Sequence, residues 1–506
     1  MPLLVIVRSS SFYLLLLLSC CYLCITSSLP ATPSPFRPYD AIEELEPILA
    51  KVRASALGSL PASDIAALWS RAGDVYDAAR NYSAALSARI EAEATAFSAV
   101  TTAPTSKEAI RTLMLSRVAL VEGFRAVRRF KAAKKVLAKA RASAGTAPAA
   151  ASVIAALWRA EARIERCSGG GIQNGKRALE AWNRGAPGGA GSAWPIAPLK
   201  TASDIQLALD LWITLGSVED EEIHITATAA AAAAALSTTT ESRRKRVAAA
   251  LIETGPWQLP TQLPRTYTPG LLALPWHSID ALPSNNDAWQ TVKRFADMLH
   301  NAAPALVAEW IALPPAMRLL ESECLSDAKR GEWTYATVNA PWVRDVDNDG
   351  CATSTPIACA LLREARSQGM SGTALRGTYS SLAGGARLTR HCGMTNAQIK
   401  LHVGLIVPVI SSTDGLEHSR IATATNDEHT RNDGVDDDRP CAALTVDGVT
   451  HSWRAGQVLI FDDSFEHSVE SHCVGERTIF QFVIPHPDLP YSERSKLVGS
   501  TSSLAD

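Results

Sequence analysis

Charge of one sign is missing from this sequence. Its 506 residues carry 49 Lys and Arg against 51 Asp and Glu, a net charge of −2. No global field therefore draws it to nucleic acid. Long apolar runs are also missing beyond the N-terminus. No later stretch approaches the roughly 18 uncharged apolar residues of a membrane span, and the tract Ala227–Ala235 is not greasy enough to serve as one. Past Cys24 there is no Cys-x-x-Cys pair, which argues against a structural zinc knuckle. What is present, 47% apolar and 20% charged residues, suits a globular chain and excludes a wholly disordered one. At roughly 100–200 residues per domain, two to four domains are expected.

The first 28 residues read as a targeting segment. Arg8 precedes an apolar run from Phe12 to Ile25, broken only by Ser19, and Ser, Thr and Pro dominate from Thr26 to Pro35. Fourteen residues suit a signal-peptide core and are short for a span. The expectation is the secretory pathway, with the segment either a cleaved signal or an uncleaved type II anchor. Seven cysteines follow it: Cys167, Cys324, Cys351, Cys359, Cys392, Cys441 and Cys473. An odd number in an oxidising compartment leaves at least one thiol without an intrachain partner. Asn81-Tyr82-Ser83 is a glycosylation sequon if the chain is lumenal.

After a Pro/Ser/Thr linker at 29–39, residues 40–250 are Ala-rich with apolar residues at helical spacing. Leu68-Trp69-Ser70-Arg71-Ala72-Gly73-Asp74-Val75-Tyr76 and Tyr82 form one unit. A second holds Phe124, Phe130, Ala132, Ala133 and Leu137, and Tyr76 and Tyr82 map onto Phe124 and Phe130 with an offset of 48. Small residues let paired helices approach while aromatics fill the gap. The pattern resembles tetratricopeptide repeats; a plain helical bundle is the alternative. Gly-rich loops are expected at 168–171 and 185–191. Ser242-Arg243-Arg244-Lys245-Arg246 reads as a solvated helix face. From 253 the texture changes, with Pro and Trp rising. Helical spacing returns over Ala288–Leu313, with a break or kink expected at Pro304.

Beyond 330 the period becomes two. Gln398, Lys400, His402 and Gly404 share one face, and Ile399, Leu401, Val403 and Leu405 the other. Arg477, Ile479, Gln481 and Val483 alternate likewise with Thr478, Phe480, Phe482 and Ile484. Val446-Asp447-Gly448-Val449 signals a hairpin, and Val458–Phe461 a strand leading into Asp462-Asp463-Ser464-Phe465-Glu466-His467. Short antiparallel strands favour a β-barrel or jelly roll. His391, His402, His467 and Arg477 then need an explanation. A non-haem iron oxygenase uses two His and a carboxylate, the first His in His-x-Asp/Glu. His391-Cys392-Gly393 lacks that carboxylate, so the residues alone argue only weakly for iron.

Residues 253–490 nevertheless resemble the aspartyl/asparaginyl β-hydroxylase family. The stretches that carry the resemblance are Gly331-Glu332-Trp333, His391-Cys392-Gly393-Met394-Thr395-Asn396, Leu401-His402-Val403-Gly404-Leu405, Trp453 with Gly456, Phe461-Asp462-Asp463-Ser464-Phe465-Glu466-His467, and His486-Pro487-Asp488-Leu489. The resemblance implies a multidomain α plus β chain, an N-terminal α-helical repeat region followed by a double-stranded β-helix (jelly-roll, cupin-like) catalytic domain, with a tail at 491–506. It implies Fe(II) held by His391 and His467 alone, with Gly393 where a carboxylate would stand. It implies 2-oxoglutarate as co-substrate, held by Ser380 and Arg477, with His402 touching it near the metal, Lys400 adding charge and Trp333 at the cleft. The implied reaction consumes O2 and hydroxylates the β-carbon of Asp or Asn in a protein substrate such as an EGF-like domain, in the endoplasmic reticulum lumen or at its membrane. Cys351 and Cys359 would form a disulfide. Asp462 and Asp463 are expected in a turn or orienting the histidines rather than as a third ligand. Lys400 and Gln398 stand where Arg is usual and Met394 where Pro is. The insert between Pro408 and Cys441, with Asp427, Glu428, His429, Asp433 and Asp436–Asp438, is expected to be a solvated acidic loop. The rival class is a helical-repeat binding protein with a degenerate β-domain; an oxygenase of the same fold with another substrate is a second.

Overall fold

The computed structural model describes residues 38–53, 61–146, 151–168, 172–185, 199, 204–205, 207–216, 234–320, 332–339, 343, 346–347, 351–370, 375–413, 416–423, 439–472 and 475–494. The targeting segment, nearly all of the linker, Gly169–Gly171, 186–191, Ala227–Ala233, the acidic run at 427–438, Cys324, Cys473 and 495–506 lie outside them. Among the described residues no helix is long and apolar enough to cross a membrane.

The N-terminal part is helical: α1 (Pro38–Arg53), α2 (Ala62–Ala78), α3 (Tyr82–Thr102), α4 (Lys107–Ala126), α5 (Phe130–Thr146), α6 (Ala151–Cys167), α7 (Ile172–Gly185) and α8 (Ala234–Thr254), with further helical residues at 207–216. Leu68, Trp69, Ala72 and Tyr76 of α2 bury against Ala85, Ala88 and Ala92 of α3, the small residues allowing close approach. The offset of 48 is structural. Arg80, between α2 and α3, and Arg128, between α4 and α5, both have φ of 55°. The turns share their hydrogen bonds: Asn81 N donates to Tyr76 O at 2.8 Å and Arg129 N to Phe124 O at 2.8 Å. Two helix pairs are thus joined by one repeated turn.

The rest of the chain is built on antiparallel sheets, so the chain is α plus β. The strands are β1 (Trp276–His277), β2 (Leu319–Leu320), β3 (Trp333–Thr337), β4 (Arg376–Leu382), β5 (Arg387–His391), β6 (Gln398–Thr413), β7 (Leu416–Thr423), β8 (Arg439–Pro440), β9 (Ala442–Val446), β10 (Val449–Ser452), β11 (Val458–Phe461), β12 (His467–Ser471) and β13 (Arg477–Pro485). One sheet runs β1-β11-β6-β13-β4-β3-β2, with β7 and β8 on β6; the other runs β10-β9-β12-β5. The alternation places Ile399, Leu401, Val403, Leu405, Phe480 and Phe482 on the large sheet's outer face, under α9 (Asp287–Ala312) and α10 (Pro356–Ser367). Its inner face, through Leu382, Phe461 and Ile479, packs against Leu388, Leu444, Val446 and Val469 of the small sheet. Asp447 (φ 48°) and Gly448 (φ 77°) make the β9–β10 turn with the positive φ pair that such hairpins demand.

Three expectations are corrected. The helix α9 runs through Pro304 without a break. Removing one N–H costs a single bond there, while Trp289, Phe295, Leu299, Leu306 and Trp310 bury on either side of it. Arg244 is not on a solvated face but buried, paired with Glu466. Cys351 and Cys359 are free thiols, with sulfurs within 4.8 Å and hydrogen-bonded to each other rather than joined. Cys359 Sγ also donates to Ala352 O at 3.4 Å, so both thiols are satisfied without a covalent link. Cys392 is free as well, whereas Cys167 and Cys441 are disulfide-bonded. Alkylation of the unfolded, unreduced chain followed by peptide mapping should therefore label Cys351, Cys359 and Cys392, and leave Cys167 and Cys441 unlabelled. Recovery of a joined Cys351–Cys359 peptide would reverse this assignment.

Candidate active site

Pairing of β12 with β5 sets His467 directly opposite His391. Their ring centroids are 4.1 Å apart at 50°. Each imidazole is oriented by its own strand: His391 Nδ1 lies 2.7 Å from Thr389 O, and His467 Nδ1 lies 2.9 Å from Phe465 O. A nitrogen facing a carbonyl carries the proton, so Nε2 of each ring keeps its lone pair. Burial, reinforced by His467, holds His391 well below the ordinary imidazole pKa; burial, reinforced by Lys400, brings His467 down to about 3. Two neutral imidazoles with free Nε2 atoms, side by side, suit a divalent transition metal.

Among the described residues, no third ligand closes the set. A Cβ at Gly393 would stand 2.2 Å from Asp463 Oδ2, so the carboxylate of Asp463 already fills the space a side chain there would need. Gly393 N donates to Asp463 O at 2.6 Å, and Lys400 Nζ holds Asp463 Oδ2 at 2.7 Å. Asp463 Oδ1 is buried without a hydrogen-bond partner among the described residues. The group of three donor side chains found within 4.8 Å of one another among the described residues is elsewhere, at Asp347, Cys351 and Cys359. That carboxylate is already engaged: Cys351 N reaches Oδ1 at 3.0 Å and Arg363 reaches Oδ2 at 2.6 Å.

The large sheet brings a group of cationic and polar side chains close to the imidazoles. The register aligns His402 with Gln481 and Ser380 with Ile479, and stacks Arg477, Leu382 and Trp333 across three strands. His402 Nε2 lies 3.2 Å from Gln481 Oε1, and its Nδ1 is buried without a partner among the described residues. Trp333 Nε1 donates to Ser380 Oγ at 2.9 Å. Arg477 is 1% exposed, with its Cζ 4.5 Å above the Trp453 ring. Burial lowers its pKa to about 9, opposed by Glu476, so it is charged at neutral pH. It has no carboxylate within ion-pair distance among the described residues, and its Nε lacks a partner. A buried guanidinium in that condition is costly unless an anion joins it.

The similarity to known proteins falls on the stretch of chain that holds these residues. Residues 308–487 match the profile of the Aspartyl/Asparaginyl beta-hydroxylase family. That stretch belongs to the aspartyl/asparaginyl β-hydroxylase family. The chain is 26% identical over 235 residues to the mouse aspartyl/asparaginyl beta-hydroxylase, covering 45% of this chain and 25% of that protein. Against the human protein of that name it is 27% identical over 170 residues, covering 33% and 18%. Against mouse aspartate beta-hydroxylase domain-containing protein 1 it is 30% identical over 145 residues, covering 28% and 32%. The matches thus span about a third or less of the relatives' lengths.

All seven residues singled out from the hydroxylase resemblance (Trp333, Ser380, His391, Lys400, His402, His467 and Arg477) lie on the strands that build this site. Lys400 is turned onto Asp463, a partner the alternation could not name because it lies in another segment. Gln481 was legible only as a face-mate of Arg477, and its bond to His402 needed the register. Gln262 was missed altogether. Its Nε2 reaches Ser464 Oγ at 2.9 Å and Asp462 Oδ2 at 3.2 Å, and no motif marks it. Gly393→Ala should lower stability by about 1–3 kcal/mol through overpacking against Asp463. In denaturant unfolding, adding Asp463→Ala should recover part of that loss; simple additivity would show that the two do not collide.

Proposed function

We propose that the chain is an Fe(II)- and 2-oxoglutarate-dependent dioxygenase that hydroxylates the β-carbon of Asp or Asn residues in a protein substrate. The observation that carries this is the opposed, neutral His391–His467 pair, each Nδ1 tied to a backbone carbonyl, with Gly393 in the place of a third ligand. The two imidazoles would hold Fe(II) through Nε2, leaving coordination positions for co-substrate and O2. The metal, with 2-oxoglutarate and O2, supplies the oxidising chemistry.

The protein's part is orientation and electrostatics. Arg477, rigid above Trp453, forks onto the distal carboxylate of 2-oxoglutarate, and the Ser380 hydroxyl, oriented by Trp333, donates to the same end. His402, held by Gln481, lines the co-substrate's position with its ring. Lys400 keeps the Asp463 carboxylate in place beside Gly393 and adds positive charge to the cleft. In this reading the paired sheets are a double-stranded β-helix, and the repeated helix pairs, tetratricopeptide-like, present the polypeptide substrate. The targeting segment and the family likeness favour the endoplasmic reticulum lumen or membrane, and EGF-like domains are the first substrates to try.

Incubating the full chain with Fe(II), 2-oxoglutarate and Asp- or Asn-containing EGF-like peptides should give a hydroxylation mass shift together with succinate. No mass shift on any peptide, with succinate still released on small molecules, would move the substrate class. His391→Ala and His467→Ala should each abolish turnover, because a two-His site has no spare ligand; near wild-type turnover in either would refute the assignment.

Arg477→Ala should raise the 2-oxoglutarate requirement by about thirtyfold or more, the equivalent of about 2 kcal/mol at the lower end for stripping a buried charge of its partner. Lys400→Arg should be tolerated, since the charge facing Asp463 persists. Lys400→Glu should weaken 2-oxoglutarate binding by setting two carboxylates against each other. Titration of 2-oxoglutarate against succinate release reads all three, and indifference of Lys400→Glu would place this lysine outside the cleft's electrostatics.

A further inference from the structure

The two ligand-bearing strands have outer faces as well as inner ones. His391 and His467 pair with one another; next to them in sequence stand Arg390, on β5, and Glu466, the residue that leads into β12. There, Arg390 Nη1 stands 3.6 Å from Glu466 Oε1. A second arginine reaches the same carboxylate from the helical region. Arg244 of α8, 222 residues away in sequence, places both terminal nitrogens on Glu466, with Nη1 3.3 Å from Oε1 and Nη2 on Oε2.

Arg244 is itself immobilised. It is 8% exposed, and its Cζ lies 4.2 Å from the ring centre of Trp212 in the helical core. Glu466 is fixed through its backbone too, since its N–H donates to Thr261 O at 2.6 Å, in the segment that follows α8. One carboxylate, adjacent in sequence to one candidate ligand, is thus clamped between a helical-region arginine and the arginine adjacent to the other.

We propose that Arg244 is a positioning residue for the metal pair: by gripping Glu466, and through it Arg390, it lets the helical region set how His467 and His391 face one another. This rests on the two-histidine metal reading above. The physical argument is one of preorganisation. A pair of ligands held within a few tenths of an ångström binds a metal more tightly than a pair that must be ordered on binding. The triad is partly desolvated, so removing one arginine leaves the others mismatched and frees the strand ends to shift. A bidentate guanidinium also fixes the angle of Glu466, which a lysine cannot do.

The test is Co(II) titration of the full chain, read by the cobalt d–d absorbance, with far-UV circular dichroism to confirm folding. Wild type, His467→Ala, Arg244→Met, Arg244→Lys and Glu466→Gln are compared. Arg244→Met should weaken Co(II) binding about tenfold, at the low end for residues that orient ligands. Arg244→Lys should fall between it and wild type, and Glu466→Gln should move in the same direction as Arg244→Met. The band shape should change with affinity, which a purely structural role for Arg244 would not produce. Should Arg244→Met fail to fold, the other two variants decide. Folded Arg244 and Glu466 variants with wild-type affinity and band shape, alongside a His467→Ala that has lost Co(II), would overturn the coupling alone. Equal binding by wild type and His467→Ala would overturn the metal reading and this proposal with it.

Discussion

In an antiparallel pair, a slip of one residue sends every side chain of a strand to the other face. The register that sets His467 opposite His391 is therefore the constraint on which the site depends. A slip there would turn His467 outward toward the helical region and bring Glu466 or Ser468 in. Several features pin it. Val469 and Leu388 anchor the same two strands in the inter-sheet core, and β9 holds the other edge of β12 through five successive residue pairs. The shift in register between His467 and Val469 falls at the ligand itself, as β-bulges beside functional side chains do. Segment 255–268 then ties down both ligand loops: Gln262 bridges to Phe465, and Thr266 N donates to Met394 O at 2.9 Å.

Buried charge is distributed around that register rather than within it. Lys400 neutralises Asp463 at the inner face, and Arg244 neutralises Glu466 at the outer one. Arg477 alone of these three cations lacks a carboxylate among the described residues. Pairing the first two keeps them from competing for an anion that enters the cleft, so the guanidinium above Trp453 is where such an anion gains most. The burial that keeps the imidazoles neutral also makes an unpaired Arg477 costly.

The strands were legible because β6 alternates cleanly over Gln398–Leu405, apolar against the helices and largely polar toward the site, and β13 alternates Arg477 and Gln481 with Phe480 and Phe482. Asp447-Gly448 was legible because only a few residue pairs tolerate consecutive positive φ. The repeat offset of 48 was legible from aromatics alone, although the left-handed Arg80 and Arg128 that carry its turns are residues no turn rule would select. What escaped was contact between distant segments. A run of five polar and basic residues from Ser242 to Arg246 looks solvated by composition, yet Arg244 is buried because Glu466 and Trp212 await it. Proximity of Cys351 and Cys359 was correctly implied, whereas their chemical state was not, since two satisfied thiols and a disulfide fit the same spacing.

The two sheets divide the labour of the site. The small sheet carries the imidazole pair and the large sheet carries Arg477, His402 and Ser380, so the distance between the imidazoles and the guanidinium is set by how the sheets pack. Phe461 and Trp453 are the side chains that set it. Phe461 sits 4.7 Å from the His402 ring and 6.0 Å from the His467 ring, and Trp453 stacks on His402 while carrying Arg477. These aromatics are fully buried, and their volume cannot change without moving both sheets. Helices α9 and α10 cover the outer face of the large sheet, while at the ligand-bearing end of the small one Cys392 and Glu466 meet the helical region and the segment that follows it. The aromatic layer thus fixes the spacing from within, and the helices resist its opening from without. A site made of two halves on separate sheets needs both to keep its imidazoles and its guanidinium at a constant separation.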